Sequence, residues 1–276
     1  MDGPRSQVAS ITTSATLRAQ DGSRVRLDGV DRSVGRIRDC GAPGDLPTEM
    51  AQQDVTCTNP DEIVAFDSAY GPSAEVGAGV SVTVDRRDLV VDVRDTRGGV
   101  IPAGGRVLEG IGAGADWLRT HATPGAVVRT TTDLRADGRP LALHRTTSVV
   151  NGGPFLVRDG ATFVDAYREG FVHPGDPGFY FAFAVSRNPR TMAGLTADGD
   201  LLLVTVDGRA PGYSIGMSFA EQARVMRALG ARDAVNLDGG GSTTMVAAGA
   251  LLGRPSDATG ERPVGDVLVV DPRRQG

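Results

Sequence analysis

Glycine content is the sequence feature that most restricts how this chain can fold. Glycine fills 38 of 276 positions, about twice its ordinary share of about 7%. Glycine permits tight turns and close backbone approach but weakens helix interiors. The hydrophobic fraction of 40% and the charged fraction of 23% are ordinary for a globular protein. The sequence therefore predicts a folded, strand-rich chain with few long helices.

Hydrophobic periodicity predicts hairpins in the first half and one clear helix in the second. Residues 10–30 and 80–93 alternate between apolar and polar positions on either side of a turn. Ser218 begins a capping-box spacing, and apolar residues then recur at helical intervals as far as Gly230. Residues 38–62 show neither pattern, so they are predicted to form a long polar loop.

Two apolar runs in the last third are predicted to be strands. Residues 201–206 are almost continuously apolar, which is typical of a central strand buried on both faces. Residues 267–270 are predicted to form a closing strand. Neither a linker nor an internal repeat interrupts the chain. We therefore expect an α+β fold: a single compact strand-rich domain over residues 1–276, with a mixed sheet and a few short helices.

Charge and aromatic content restrict the partners. The net charge is −5, there is no basic run, and the chain has one Trp and four Tyr. Nucleic acid is therefore a poor candidate. All 29 basic residues are arginine, and each can grip a phosphate or carboxylate with two hydrogen bonds. No stretch approaches the 18 consecutive apolar residues that predict a membrane span.

Cys40 and Cys57 lie in polar, turn-forming surroundings. We predict a disulfide between them, which would contribute about 3 kcal/mol and indicates an oxidising compartment. A zinc site would need further ligands, but His121, His144 and His173 are scattered without metal-binding spacing. A catalytic thiol is the remaining alternative.

Residues 236–244 carry the strongest chemical signal. A carboxylate at the end of a predicted strand is followed by three glycines and three hydroxyl side chains. Glycine amides can approach an anion closely, while the carboxylate faces the same space. A simple hairpin turn is the alternative, although one glycine would be enough for it. A Walker A loop is excluded because the chain has no lysine. The residues predicted to form this anion site are Asn236, Asp238, Gly239, Gly240, Gly241, Ser242 and Thr243.

Arg190 and Thr191 form the second candidate, a forked cation beside a hydroxyl on a bend. This pair suits a singly charged phosphodiester, and an ordinary surface arginine is the alternative. Asp207 and Arg209 follow the apolar run at 201–206, where a plain turn would also explain them.

Residues 110–115 match the loose dinucleotide-binding pattern G-x-G-x-x-A. The helix that this pattern would open is stopped by Pro124 after about two turns, and no parallel βαβ unit is evident. We therefore reject a dinucleotide site.

Several ordered segments together resemble the phosphodiester glycosidase family. They read NPRT at 188–191, LLLVTVDGR at 201–209, GMSFAE at 216–221 and NLDGGGSTTMV at 236–246. The resemblance covers a motif-rich catalytic part at residues 150–271; weaker similarity extends upstream to residues 70–71, 101–105 and 151–154. An early Asn-Gly-x-Phe-Phe-like strand that is usual in the family is missing, so we expect this chain to lack an N-terminal family segment.

The resemblance implies hydrolysis of a sugar-1-phosphodiester, such as a phosphate-containing glycan or an N-acetylglucosamine-1-phosphodiester. Arg190, Thr191 and the amides of Gly239–Gly241 would hold the phosphate, and Asp238 would act as general acid or base or orient water. Residues predicted to line this site less directly are Asp207, Arg209, Asn151 and Gly152.

The family also includes secreted bacterial proteins linked to exopolysaccharides, which implies a secreted or cell-envelope protein acting on a phosphosugar or anionic glycan. We expect that no cofactor is required, and the sequence leaves open whether a structural Ca²⁺ is bound. A non-catalytic glycopolymer- or phosphosugar-binding domain is the alternative. A metal-dependent phosphodiesterase would need a His/Asp ligand cluster that the sequence does not show.

Overall fold

The computed structural model describes residues 6–37, 44–52, 55–144, 147–172 and 177–270. Its internal contacts group into two units, Ala9–Thr146 and Thr147–Gly276 together with Met1–Val8. Strands dominate both units, and the helices are short. The α+β class, the strand-rich composition and the few short helices are therefore confirmed. The domain boundaries predicted from the sequence stay a prediction.

The described residues of the unit Ala9–Thr146 form three sheets and one helix. Its elements are β1 (Ile11–Ala19), β2 (Arg24–Leu27), β3 (Gly29–Val30), β4 (Arg36–Ile37), β5 (Leu46–Gln52), β6 (Val55–Thr58), β7 (Ile63–Phe66), β8 (Ser73–Val84), β9 (Val90–Val100), β10 (Arg106–Gly110), α1 (Gly112–His121), β11 (Val128–Ala136) and β12 (Arg139–Pro140). The strand orders are β12-β11-β1-β2, β3-β7-β10-β8-β9 and β4-β6-β5. Strand β3 pairs parallel to β7, whereas the other pairings in that sheet are antiparallel, so the mixed sheet is confirmed.

The two predicted hairpins are β1–β2 and β8–β9. The second turn is held by Asp85, whose Oδ1 accepts from the N–H groups of Arg87 (2.7 Å) and Leu89 (3.0 Å). The polar loop predicted at 38–62 is wrong in its described part, which contains β5 and β6. These strands are short and partly polar, so their pairing depends on neighbours that periodicity does not reveal.

Residues 110–115 serve packing rather than dinucleotide binding. Strand β10 precedes α1, but both neighbours of β10 are antiparallel to it, so no βαβ unit exists there. A Cβ on Gly114 would lie 2.2 Å from the carbonyl oxygen of Glu62. Glycine therefore lets α1 approach the preceding chain, as expected for a structural role.

The described elements of the second unit are β13 (Phe155–Arg158), β14 (Ala161–Thr162), α2 (Pro177–Tyr180) continuing into a π-helical turn (Phe181–Val185), β15 (Arg190–Thr196), β16 (Leu201–Val206), α3 (Phe219–Ala228), β17 (Ala231–Leu237), a 3₁₀ turn (Gly240–Ser242), β18 (Val246–Ala247) and β19 (Ala250–Leu251). Five of the strands form an antiparallel sheet with the order β14-β13-β17-β15-β16, and β18 pairs with β19.

Helix α3 confirms the predicted helix, including its capping box. The Ser218 hydroxyl accepts from the Glu221 N–H, and the Glu221 carboxylate accepts from the Ser218 N–H at 2.9 Å. Phe219 and Met226 on the inner face of the helix pack into a core with Met192 of β15. The helix thereby fixes the sheet that carries the candidate site.

The strand predicted at residues 201–206 is confirmed as β16, but its predicted central position is wrong, and the strand predicted at 267–270 is wrong. Strand β16 is an edge strand, paired only with β15, and Leu201 is 48% exposed. An apolar run shows that a strand is strongly hydrophobic, but sheet order is set by long-range pairing. Residues 267–270 form no strand, and their side chains are between 46% and 74% exposed.

Candidate active site

The glycine-rich loop follows β17 and docks on the residues that begin β15. Thr191 of β15 is in register with Leu237, the last residue of β17. The Gly240 N–H donates to the Pro189 carbonyl at 2.9 Å. A Cβ built on Gly239 would lie 3.8 Å from Cδ of Arg190. The structure therefore brings together the two segments in which sequence analysis placed the anion site.

Two of the three glycines have a steric reason to be glycine. A Cβ on Gly239 would lie 2.8 Å from the Pro189 carbonyl oxygen. Gly240 has φ of +61°, in the left-handed region that glycine adopts without strain. A Cβ on Gly241 would lie 2.3 Å from Nη2 of Arg262, the end of a side chain that can move aside. The backbone therefore explains Gly239 and Gly240, and Gly241 borders Arg262.

The loop amides are only partly available to a ligand. The amide of Gly240 is used by Pro189, so its predicted role as a phosphate donor is corrected. The amides of Ser242 and Thr243 donate to the carbonyls of Gly239 and Gly240 in the 3₁₀ turn. Within the described chain, the amides of Gly239 and Gly241 donate to no protein acceptor. An anion would therefore meet at most two backbone donors, the half-buried amide of Gly239 and that of Gly241, which is buried beside Arg262.

Arg190 lies beneath this loop, and its side chain is turned into the protein. It is only 5% exposed. Nε donates to the Met217 carbonyl at 2.7 Å, and Nη2 donates to the carbonyls of Phe183 (2.7 Å) and Ser186 (3.0 Å). The guanidinium carbon also lies 4.6 Å from the ring centroid of Phe219.

The predicted two-pronged grip of Arg190 on a phosphate is therefore corrected. Main-chain carbonyls occupy its fork, and only Nη1 lacks a hydrogen bond to the described residues. Burial, followed by the charge of Arg209, lowers the pKa of Arg190 to about 10. Arg190 consequently remains a buried positive charge at neutral pH, close to the glycine loop.

Arg209 is the exposed cation nearest Gly240. Its Nη2 is 3.2 Å from the position of a Cβ on Gly240. The guanidinium is oriented by Asn188, whose Oδ1 accepts from Nη2 at 3.1 Å and from Nε at 3.3 Å. The φ of Arg209 is +56°, an uncommon backbone conformation for a residue with a side chain. Arg209, rather than Arg190, thus presents an exposed guanidinium beside the glycine loop.

Arg262 is a further cation beside the loop, and sequence analysis missed it. Its Nη2 lies 2.8 Å from the Asp257 carboxylate, and it borders Gly241. The hydrogen bond to Asp257, with that group's charge and the charge of Asp238, raises the pKa of Arg262. No motif in the sequence marks this residue.

Asp238 occupies the mouth of the loop and is exposed. Its carboxylate forms no hydrogen bond with any residue in the part of the chain that the structure describes. The hydroxyls of Thr191 and Thr243 lie 3.4 Å apart nearby, and Ser242 is partly exposed. Asp238 is therefore available to contact a ligand or a water molecule.

Asn236 holds the site together instead of facing a ligand. It is 8% exposed, and its Nδ2 donates to the Gly153 carbonyl at 2.8 Å. A Cβ on Gly152 would lie 2.7 Å from the Asn236 carbonyl, so Gly152 is needed for close packing. Their predicted phosphate-binding roles are corrected to structural ones. Asn151 is exposed beside this turn.

Asp207 is also a structural residue. Its Oδ2 accepts from the Tyr213 hydroxyl at 2.9 Å, and its Oδ1 accepts from the Arg254 N–H at 3.0 Å. The Arg254 guanidinium stacks 4.0 Å from the Tyr213 ring centroid. Because both oxygens are occupied, Asp207 joins two loops, and its predicted place in the site lining is corrected.

Glu169 is a carboxyl group that sequence analysis did not select. Both of its oxygens accept from the Phe155 N–H, at 3.1 and 2.9 Å. Oε2 is 3.8 Å from the position of a Cβ on Gly153. Burial raises the pKa of Glu169, as does the charge of Asp165, while the Phe155 N–H and Arg158 lower it. No sequence spacing connects Glu169 to the glycine loop.

Other predictions concern residues outside this cluster. Cys40 and His173 lie outside the described residues, so the disulfide stays a prediction; Cys57 is buried on β6. The described residues contain no group of three His, Cys, Asp or Glu side chains able to hold a metal ion. Among the same residues, no helix is long and apolar enough to cross a membrane.

Comparison with known proteins places these features in context. N-acetylglucosamine-1-phosphodiester alpha-N-acetylglucosaminidase of Mus musculus is 30% identical over 110 residues, which are 40% of this chain and 21% of the mouse protein. The corresponding Bos taurus protein is also 30% identical over 110 residues, which are 20% of its length. The chain thus matches only about a fifth of these curated relatives.

Solved structures resemble the chain over a greater length. A protein of Burkholderia pseudomallei described as exported superposes with a TM-score of 0.83 and 41% identity, covering 95% of this chain and 54% of that one. A Synechocystis protein shares the fold, with a TM-score of 0.61 and 21% identity over 89% of this chain and 40% of that one.

The family model described as phosphodiester glycosidase matches residues 78–271. This range contains the glycine loop, the residues on which the loop docks, Arg209 and Glu169. Because the match extends over more than half of the sequence, the chain belongs to the phosphodiester glycosidase family.

Proposed function

We propose that this chain hydrolyses the glycosyl-phosphate bond of a sugar-1-phosphodiester, within a phosphate-containing glycan or an N-acetylglucosamine-1-phosphodiester. Family membership supports hydrolysis of this class. The main observation is that two loop amides, those of Gly239 and Gly241, donate to no acceptor among the described residues. Exposed Arg209 lies beside this loop, and exposed Asp238 belongs to it. A singly charged phosphodiester matches this set of donors.

The bond between the anomeric carbon and the phosphate oxygen would break when water attacks that carbon. The phosphate would leave with the bonding electrons, and the two amides with Arg209 would stabilise its growing charge. Buried Arg190 adds positive potential from below the loop. Asp238 would orient the water and accept its proton. A phosphate leaves more readily than a sugar alkoxide, so anion binding would supply much of the rate.

Export to the cell envelope or beyond is part of the proposal. The similarity to a Burkholderia protein described as exported supports it, and the predicted disulfide is consistent with an oxidising compartment. No cofactor is required by the mechanism.

The test is a time course of N-acetylglucosamine release from UDP-N-acetylglucosamine and from a methyl N-acetylglucosamine-1-phosphodiester. We expect turnover by the unaltered chain and a fall of about 10² or more in kcat for Asp238→Asn and Arg209→Ala. Asp198→Asn is the matched control, because Asp198 is exposed beyond the opposite end of β15 from Arg190.

Three results would contradict the proposal. Normal rates in both variants would remove the assigned roles. Ligand retention without product would favour the glycopolymer-binding alternative. Loss of turnover on adding EDTA would favour a metal-dependent reaction.

A further inference from the structure

The carboxyl group of Glu169 is held in place by its own chain segment. On one side, the Phe163 N–H donates to the Leu156 carbonyl at 2.9 Å. On the other side, the Phe171 ring packs edge to face against Phe219, with 5.1 Å between centroids. These contacts hold the chain six residues before and two residues after Glu169.

Glu169 differs from the other strongly shielded glutamates in having no cationic partner. Glu62 and Glu109 are almost fully buried and each pairs with an arginine. Glu169 is half-buried and forms no ion pair with the described residues. The one N–H group that it accepts leaves lone pairs on both oxygens. Partial burial without a cationic partner disfavours the charged form of a carboxyl group.

The location of Glu169 connects it to the candidate active site. Oε2 lies 3.8 Å from the position that a Cβ would take on Gly153, so glycine leaves room beside the carboxyl group. The Gly153 N–H donates to the Asn236 carbonyl at 2.8 Å. Asn236 precedes Asp238 by two positions on the same strand end. Glu169 therefore lies at the turn that supports the glycine loop.

The surroundings of Glu169 favour its protonated form. Burial and the charge of Asp165 raise its pKa, opposed by the Phe155 N–H and Arg158. Asp238, by contrast, is exposed to solvent. Two carboxyl groups in such different environments are typical of an acid and base pair in glycoside hydrolysis.

We propose that Glu169 is the second catalytic carboxyl group of this site and donates a proton to the departing phosphate oxygen. This inference rests on the proposed hydrolysis. Water attacks the anomeric carbon and gives one proton to Asp238, the carbon–oxygen bond breaks, and the phosphate oxygen takes the electron pair and the proton of Glu169. Transfer of the proton from Asp238 to Glu169 through solvent restores both groups. The products are the free sugar and a phosphate monoester.

Glu169→Gln is the direct test, measured as a pH profile of kcat on the methyl phosphodiester. Glutamine can still accept the Phe155 N–H, so we expect the melting temperature to remain within about 2 °C of the unaltered value. We expect kcat to fall at least tenfold. The decrease of kcat at high pH, which reports deprotonation of the general acid, should also disappear from the profile. The effect should be smaller than that of Asp238→Asn, since phosphate needs little protonation to leave.

Asp165→Asn provides a second variant that leaves Glu169 in place. Removing the Asp165 charge should lower the pKa of Glu169 and move the basic limb to lower pH without reducing the maximal kcat. A purely structural role for Glu169 would give no such shift.

The outcomes separate this inference from the proposed function. If the unaltered chain turns over the phosphodiester and Glu169→Gln keeps both kcat and the basic limb, the inference fails alone. If the unaltered chain releases no sugar, the proposed function fails and the role of Glu169 fails with it.

Discussion

Buried charges are handled differently in the two units. In the unit Ala9–Thr146, the Glu62 side chain is 1% exposed and the Glu109 side chain is 0% exposed. Glu62 pairs with Arg32, and Glu109 lies 3.1 Å from Nη1 of Arg97. These are closed pairs in which each charge meets its opposite.

The second unit instead buries a cation without a carboxylate. Arg190 is held by three main-chain carbonyls and the face of Phe219, and the nearest charge affecting it is another arginine, Arg209. Hydrogen bonds from Nε and Nη2 hold its guanidinium but do not neutralise its charge. A closed pair offers little to a ligand, whereas an uncompensated cation below a glycine loop attracts an anion. The difference separates charges neutralised within the fold from a buried charge left without a counter-ion among the described residues.

The largest stability effect is expected where a closed pair is broken. Glu109→Ala would leave Arg97 buried without its partner and the Gly98 N–H, now 2.6 Å from Glu109, without its acceptor. We expect a loss of about 3–5 kcal/mol in the free energy of unfolding, measured by urea titration. Asp92→Ala, which removes an exposed pair with Arg94, is the control and should cost less than about 0.5 kcal/mol. If both variants lost the same unfolding free energy, burial would not explain why one ion pair stabilises the chain more than the other.

Arg190→Lys tests the buried cation that has no carboxylate partner. Lysine keeps the positive charge but cannot reproduce a planar fork reaching three carbonyls. We expect a loss of about 2 kcal/mol in unfolding free energy, from two lost hydrogen bonds. Arg209→Lys, at an exposed position, should leave stability within about 0.5 kcal/mol of the unaltered chain. If Arg190→Lys abolishes turnover while the urea midpoint is unchanged, Arg190 contacts the substrate directly.

Local chemistry explains which features the sequence could predict. The capping box at Ser218 and Glu221 is complete within four residues, so the start of α3 was predictable. The three glycines of the 236–244 loop likewise indicated close backbone contacts, and the loop does dock beside Arg190. Features encoded by neighbouring residues can be derived without knowing the rest of the fold.

Features that depend on distant pairing were not predictable in the same way. The apolar run at residues 201–206 predicted strand β16, but the edge position of this strand is set by the order of strands in the sheet. Arginine at position 190 indicated anion binding, yet its side chain turns toward the carbonyls of Phe183 and Ser186. Glu169 meets the Phe155 N–H, which lies 14 positions earlier, through a contact that no local pattern announces. Residue type is visible in a sequence, whereas side-chain direction is a property of the packing.

The smallest effect is expected at the exposed pair between Arg187 and Glu221. Glu221 accepts from Nε of Arg187 at 3.0 Å and also completes the capping box of α3. Hydrogen bonds from Arg187 and then from the Ser218 N–H lower the pKa of Glu221 to about 2. Glu221→Gln keeps a capping acceptor and removes only the charge, whereas Glu221→Ala removes both and should cost about 1 kcal/mol.

The pH dependence isolates the charge at Glu221. Its pKa in the folded chain lies below the ordinary value of 4.5, so the folded chain binds this proton less readily than the unfolded chain does. The stabilisation is therefore complete above about pH 4.5 and is lost as the pH falls toward about 2. The difference in melting temperature between the unaltered chain and Glu221→Gln should shrink over that range, and at neutral pH it should also shrink with added salt, because solvent reaches this pair. If the difference in melting temperature did not depend on salt, the Arg187–Glu221 pair would behave like the closed pairs of the other unit. Solvent exposure would then not be the property that separates weak charge contacts from strong ones in this protein.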